Sequence, residues 1–195
     1  MRKEVTTSIL AIVVFTVLCG IVYPLAVTGV SQVAFNHSAN GSMVTSGGKV
    51  VGSELIAQSF AGKPKYFQPR PSQTDYNPAG TAFNNAGPNN KETRDMIAAN
   101  AAGYLKLERP FNRTLTPANV PVDAVTGSAS GVDPHISQAN AAIQARRIAV
   151  VRRLPLASVS RLIDDNTDGR FAGLFGEPGV NVLKLNLALD KESPR

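Results

Sequence analysis

The sequence predicts one N-terminal transmembrane helix followed by an α+β extracytoplasmic domain with a small sheet. Three observations predict it. Residues 9–30, with Ile9 first and Val30 last, carry no charge in 22 positions. Basic residues flank that run on one side only. The remaining chain mixes helix-period segments with a Gly-Gly hairpin signal and one alternating segment.

As a helix, the apolar run would extend ~33 Å, enough for a hydrocarbon core of ~30 Å. The apolar core of a cleaved signal peptide is shorter, ~7–15 residues, and no clear small-x-small cleavage pattern follows this run. A retained anchor is therefore expected over residues 1–35, with the folded domain over 36–195. Pro24 and Gly29 lie inside the run. A membrane helix tolerates both where neighbouring helices help satisfy the freed backbone groups, so this span is expected to pack on partner helices. Arg2 and Lys3 precede the run, and the next basic residue is Lys49. Positive charge on that flank orients the N-terminus to the cytoplasm and exports the domain.

The net charge is +6, which suits anionic headgroups or an acidic protein surface. Nucleic acid is excluded as a partner by the expected location and by the lack of basic-aromatic interleaving. The only cysteine, Cys19, falls in the span. The domain must therefore fold without disulfides.

Along the domain, Gly47-Gly48 between two β-prone runs predicts a tight hairpin. Ser53 is a candidate cap for a short turn through Leu55 and Ile56. Residues 65–71 contain Pro69 and Pro71 and are expected to be extended. Residues 72–90 read as a long loop. Asn89 with Glu92 resembles a capping box before a helix presenting Ile97, Ala101, Tyr104 and Leu105. Residues 109–136 hold four prolines and form a second irregular stretch. Ser137 is expected to cap an alanine-rich helix reaching about Arg153, halted by Pro155. A short helix follows, grouping Val159, Leu162 and Ile163. Leu183, Leu185, Leu187 and Leu189 alternate with more polar residues and predict a half-buried strand.

Catalytic and metal signatures are weak. His37 and His135 have no ligand companions at useful spacing. Gly47-Gly48-Lys49 lacks the spacing of a phosphate-binding loop. Asp164, Asn166, Asp168 and Gly169 match the opening of a calcium loop, but its twelfth position is Phe175 where glutamate is needed, so a helix end closed by a polar turn is expected. Arg146, Arg147, Arg152 and Arg153 form the densest basic cluster and read as a solvated helix face or as a contact for an acidic partner or lipid phosphate. In the loop 127–135, Gly127 and Gly131 permit positive φ. Asp133, held extended before Pro134, is expected to offer its carboxylate to the start of the next helix. This loop is expected to be structural.

Five stretches in order carry a family resemblance: YPLAVTG at 23–29, ANGS at 39–42, YFQPRPS at 66–72, SASGVDPHIS at 128–137 and VNVLKLNLALD at 180–190. Together they resemble the C subunit of the bacterial Kdp potassium-transporting ATPase (the KdpC family), nearly end to end. Gly179 and Asn36 depart from it, standing where arginine and proline are common. The resemblance implies an accessory subunit of an ATP-driven potassium uptake complex in the bacterial plasma membrane. It implies as partners a potassium-binding, channel-like A subunit, an ATP-hydrolysing P-type B subunit and a small F peptide. It also implies a need for this subunit in assembly and activity, and a chaperone-like rise in the ATP affinity of the B subunit. Gln144 matches the family glutamine proposed to touch nucleotide. No firmly bound cofactor is expected, and ATP only in complex with the B subunit. The charge-based topology instead sets the domain over the outer mouth of the A subunit. The alternative is an anchored periplasmic binding module acting alone; an anchored enzyme would need a catalytic set that was not found.

Overall fold

The computed structural model describes residues 2–80, 85–87 and 89–192. The expected loop 72–90 falls partly outside these residues. Two compact units divide between Met43 and Val44.

The first unit is helical. Helix α1 (Arg2–Val17), a π-helical turn (Leu18–Val22) and helix α2 (Tyr23–Ala34) run continuously, and Arg2–Ala34 is long and apolar enough to cross a membrane. The π turn has a local cause. Pro24 has no N–H to give the carbonyl of Gly20, and its ring would crowd that carbonyl. The helix widens one turn earlier, and the Tyr23 N–H reaches back to the Leu18 carbonyl. Near the start, Thr6 and Ser8 hydroxyls return their protons to the carbonyls of Arg2 and Glu4. Helix α2 ends at Phe35, and one further turn, α3 (Asn36–Ala39), follows. Here Gln32, Asn36 and Asn40 stack as an i, i+4, i+8 ladder of amide hydrogen bonds.

In the second unit, strands β1 (Met43–Ser46) and β2 (Lys49–Ser53) pair through the expected hairpin. Gly47 and Gly48 have φ of 58° and 76°, the pattern of a type I′ turn. Ser53 Oγ accepts the Leu55 N–H, giving the short turn. Helix α4 (Lys91–Glu108) is capped by Asn90, whose side chain accepts the Thr93 N–H at 2.9 Å. The cap is thus one residue later than the Asn89 expected. Ile97, Ala101, Tyr104 and Leu105 lie half-buried on one face, as the periodicity requires.

Strand β3 (His135–Ile136) leads into helix α5 (Gln138–Arg152), capped by Ser137 as expected. Arg153 closes α5 in the left-handed conformation, φ 56°, and the Leu154 N–H returns to the Ala149 carbonyl. Pro155 precedes helix α6 (Leu156–Asp165), which buries Val159, Leu162 and Ile163. Strands β4 (Thr167–Asp168) and β5 (Gly179–Asn181) follow, and all pairing in the sheet β3-β5-β4 is antiparallel. Asn166 ends α6, so the calcium-like segment is a helix end running into a hairpin.

The segment expected to be the alternating strand is instead helix α7 (Val182–Glu192). Its buried residues include Val182, Leu185, Asn186 and Leu189, a helical i, i+3, i+4, i+7 stripe, whereas Leu187 is only half-buried. Alternating leucines satisfy a period of two by accident. Leu, Lys and Ala are good helix formers, and the only β-branched residue, Val182, is at the first position. The helix start is marked by Asn181, whose side chain accepts the Lys184 N–H at 3.1 Å.

The core gathers Phe67, Ile136, Ala141, Ala145, Ile148, Val159, Leu162, Val180, Leu185 and Leu189. Ala141, Ala145 and Ile148 share one face of α5, and the small alanines permit close packing of neighbouring elements.

Candidate functional site

The densest set of buried polar contacts surrounds the segment 64–72. This segment has no strand partner among the described residues, so its backbone groups must find partners outside a ladder, and most of these are side chains. Asn186 of α7 accepts the Phe67 N–H at 2.8 Å and donates to the Phe67 carbonyl at 3.0 Å. Gln144 of α5 does the same for the next residue, accepting the Gln68 N–H at 2.7 Å and donating to its carbonyl at 3.1 Å. Two carboxamides from two helices thus replace a neighbouring strand. Phe67 between them is fully buried.

Arg147 lies one turn beyond Gln144 and is fully buried, not on the solvated face expected of the basic cluster. Its guanidinium donates to Glu108 Oε1 at 2.9 Å, to Gln144 Oε1 at 3.0 Å, to the Tyr66 carbonyl at 3.0 Å and to the Pro64 carbonyl. Glu108 is also fully buried, and its Oε2 has no hydrogen-bond partner among the described residues. Burial pushes the Glu108 carboxyl up from its ordinary range, and the Arg147 charge opposes that rise. Arg152 donates to the carbonyls of Lys65 and Leu189 and pairs with Asp190 at 2.8 Å. Its guanidinium also lies 4.8 Å from the Tyr66 ring centroid, and the Tyr66 hydroxyl donates to Asp190.

The loop 127–135 braces the other end of the segment. Arg70 donates to Asp133 and to the Gly127 carbonyl, each at 3.2 Å. Ser72 Oγ donates to the Gly131 carbonyl at 2.6 Å, and the Ser128 N–H to the Pro71 carbonyl at 3.1 Å. Gly131 has φ 76°, as expected, but Gly127 is not at positive φ. A Cβ at Gly127 would lie 3.6 Å from the Pro71 carbonyl oxygen, so this glycine is not demanded by backbone conformation. The Pro134 carbonyl accepts the Val182 N–H at 3.0 Å, tying the loop to α7.

Asp133 does not cap α5. Its carboxylate accepts the N–H of His135 at 2.9 Å in a local turn. Burial raises its pKa, but the bonds from His135 and the charge of Arg70 outweigh this and hold it below its ordinary value. The acid at the α5 start is Asp123, which accepts from the Ser137 N–H, the Ser137 hydroxyl and the Asn140 side chain, all within 3.0 Å. Asp123 carried no sequence signal because it lies 14 residues before Ser137 in a proline-rich stretch. His135 also contacts Asp168 at 2.9 Å across the sheet. Its bond to Asp133, with Asp168 adding to it, holds its pKa above the ordinary imidazole value.

A cleft of about 390 Å³ opens beside this assembly, lined in part by Gln68, Pro69, Asn100, Tyr104 and Asn140. Gln144 borders the cleft but is 1% exposed, and its amide is committed to Gln68, Asn140 and Arg147. The Tyr104 hydroxyl donates to Asn140 at 2.9 Å, and burial pushes its pKa up. No group of three or more His, Cys, Asp or Glu side chains suited to a metal ion occurs among the described residues. The arrangement positions backbone.

The family described as KdpC, the K+-transporting ATPase c chain, matches residues 5–191. The potassium-transporting ATPase KdpC subunit of Mycobacterium tuberculosis is 47% identical over 193 residues, covering 98% of this chain and 100% of the relative. That of Geobacter sulfurreducens is 46% identical over 200 residues, covering 98% and 100%. That of Caldanaerobacter subterraneus is 43% identical over 192 residues, covering 98% and 97%.

Proposed function

The chain belongs to the KdpC family of the potassium-transporting ATPase, as an accessory and not the catalytic subunit, and from that premise we propose that it is the assembly subunit of an ATP-driven potassium uptake complex. Its partners are the channel-like A subunit, the ATP-hydrolysing B subunit and the small F peptide. The span Arg2–Ala34 anchors it in the plasma membrane with the N-terminus in the cytoplasm, and the domain stands outside. The observation that carries this reading is the use of the buried polar groups. Gln144, Asn186 and Arg147 are committed to holding residues 64–68. They support a rigid binding body more readily than a site that must accept a ligand. A rise in the ATP affinity of the B subunit then acts through contacts in the complex, not through Gln144, which would have to break its bonds to Gln68 to reach nucleotide.

Topology tests this directly. The charge bias around residues 9–30 predicts that alkaline phosphatase fused after Arg195 is active and that a cytoplasm-only fluorescent reporter there is dark. The opposite pattern would place the domain with the nucleotide and reverse the proposal.

A further inference from the structure

The β4–β5 hairpin carries, at residues 169–178, a finger that the domain core does not use. Phe171, Leu174 and Phe175 are 79%, 75% and 66% exposed. Single exposed apolar residues are ordinary on a protein surface, but three within five positions at one hairpin tip make a patch. The finger is also built to hold its shape. Phe171 and Phe175 exchange both backbone hydrogen bonds, at 2.8 and 3.0 Å. Between them the Leu174 N–H returns to the Phe171 carbonyl, with Ala172 at φ 52° and Gly173 at φ 75°, a type I′ turn. At the base, Arg170 donates to both carboxylate oxygens of Glu177, at 3.0 and 2.9 Å.

We propose that this finger docks the chain to another protein subunit of the same ATPase by seating Phe171, Leu174 and Phe175 in an apolar socket with a neutral or basic rim. The inference rests on the subunit reading above. Preorganised aromatic and leucine anchors bind with little ordering cost, the pattern of an interface hot spot. Charge decides against the bilayer as the occupant. Membrane-inserting tips are flanked by lysine and arginine, drawn to anionic headgroups. Residues 164–178 hold Asp164, Asp165, Asp168 and Glu177 against Arg170, in a chain whose net charge is +6; from outside this stretch His135 and Lys184 meet Asp168 at 2.9 and 3.8 Å, which leaves Asp164 and Asp165 as the flanking acids with no ion pair among the described residues. The Arg170 guanidinium is already paired with Glu177. The finger is thus an acidic-flanked apolar tip, repelled by anionic lipid and matched to a basic-rimmed protein socket.

The test co-expresses the full chain with its A and B subunits and purifies the complex through a tag on this chain in mild detergent. Changing Phe171, Leu174 and Phe175 together to Ser should cut co-elution of those subunits ~10-fold or more. Membrane content and the unfolding midpoint should stay unchanged, because the side chains are exposed. The triple change to Met keeps the apolar surface and should retain the complex. The sequence has no tryptophan, so Phe175→Trp gives a single-site probe. Its emission should shift to the blue in the complex and resist quenching by brominated phosphatidylglycerol when the chain alone is in nanodiscs. Full co-elution of the triple Ser variant would overturn the proposal. So would unchanged Trp emission in the complex, or quenching by lipid without partners. Failure of the wild-type chain to co-elute would instead overturn the subunit reading, and the finger's role with it.

Discussion

Replacing Arg147 by methionine should destabilise the chain by about 3–5 kcal/mol at pH 8, the usual cost of breaking a buried ion pair from one side. The guanidinium satisfies Glu108, Gln144 and the carbonyls of Pro64 and Tyr66 from inside the fold. Methionine fills similar volume but takes the donor from the Glu108 carboxylate and the Pro64 carbonyl, while the Gln144 oxygen and the Tyr66 carbonyl keep only their bonds from Gln68. The loss should shrink at acidic pH. Burial already raises the Glu108 pKa, and Arg147 is the group that opposes the rise. Without it the folded state takes up a proton more readily than the unfolded state. A group with a raised folded pKa contributes stability that is present below its unfolded pKa and lost as pH rises through the folded one. Urea unfolding of the full chain in mild detergent should therefore show a smaller gap between variant and wild type at pH 5 than at pH 8. A loss below ~1 kcal/mol at pH 8 would mean that the pair does not hold residues 64–68 in place.

Leu189→Ala should cost about 2–5 kcal/mol, and Leu187→Ala well under half of that. Leu189 is fully buried against the core, whereas Leu187 is half-buried on the flank of α7. The pair separates the two periodicities. On a strand, residues 187 and 189 share one face and would respond alike. On a helix they lie about 200° apart. Equal losses in the same unfolding measurement would return this segment to a strand.

Local signals with one physical reading were legible in the sequence. Ser137 capped α5, Gly47-Gly48 made the hairpin, and the apolar spacing of Val159, Leu162 and Ile163 gave α6. Helix α7 shows the limit. Leucines at every second position fit both periods, and only the helix propensity of the intervening residues and the cap at Asn181 separate them. Most of the candidate site was not legible. Gln68 and Gln144 are 76 residues apart, Phe67 and Asn186 are 119 apart, and Glu108 and Arg147 are 39 apart. Nothing local in the chain announces a side-chain amide that replaces a strand. Arg147 carries the same charge as the exposed Arg146 beside it, and only the helix phase turns it inward. The apolar finger at 171–175 was hidden for another reason. Its Asp, Asn and Gly approach imitates a metal loop, and Phe175, the residue that excludes calcium there, is one of its tip residues.

The proposed role of this chain is as one subunit of a potassium-transporting assembly. Its most direct test is affinity purification of the tagged wild-type chain from its native membrane in mild detergent, followed by identification and mass measurement of the eluate. The A and B subunits should elute with it in a fixed ratio, and the eluted complex should hydrolyse ATP in response to potassium. A stable monomer eluting alone, with the A and B subunits recovered as an active complex in the unbound fraction, would contradict it.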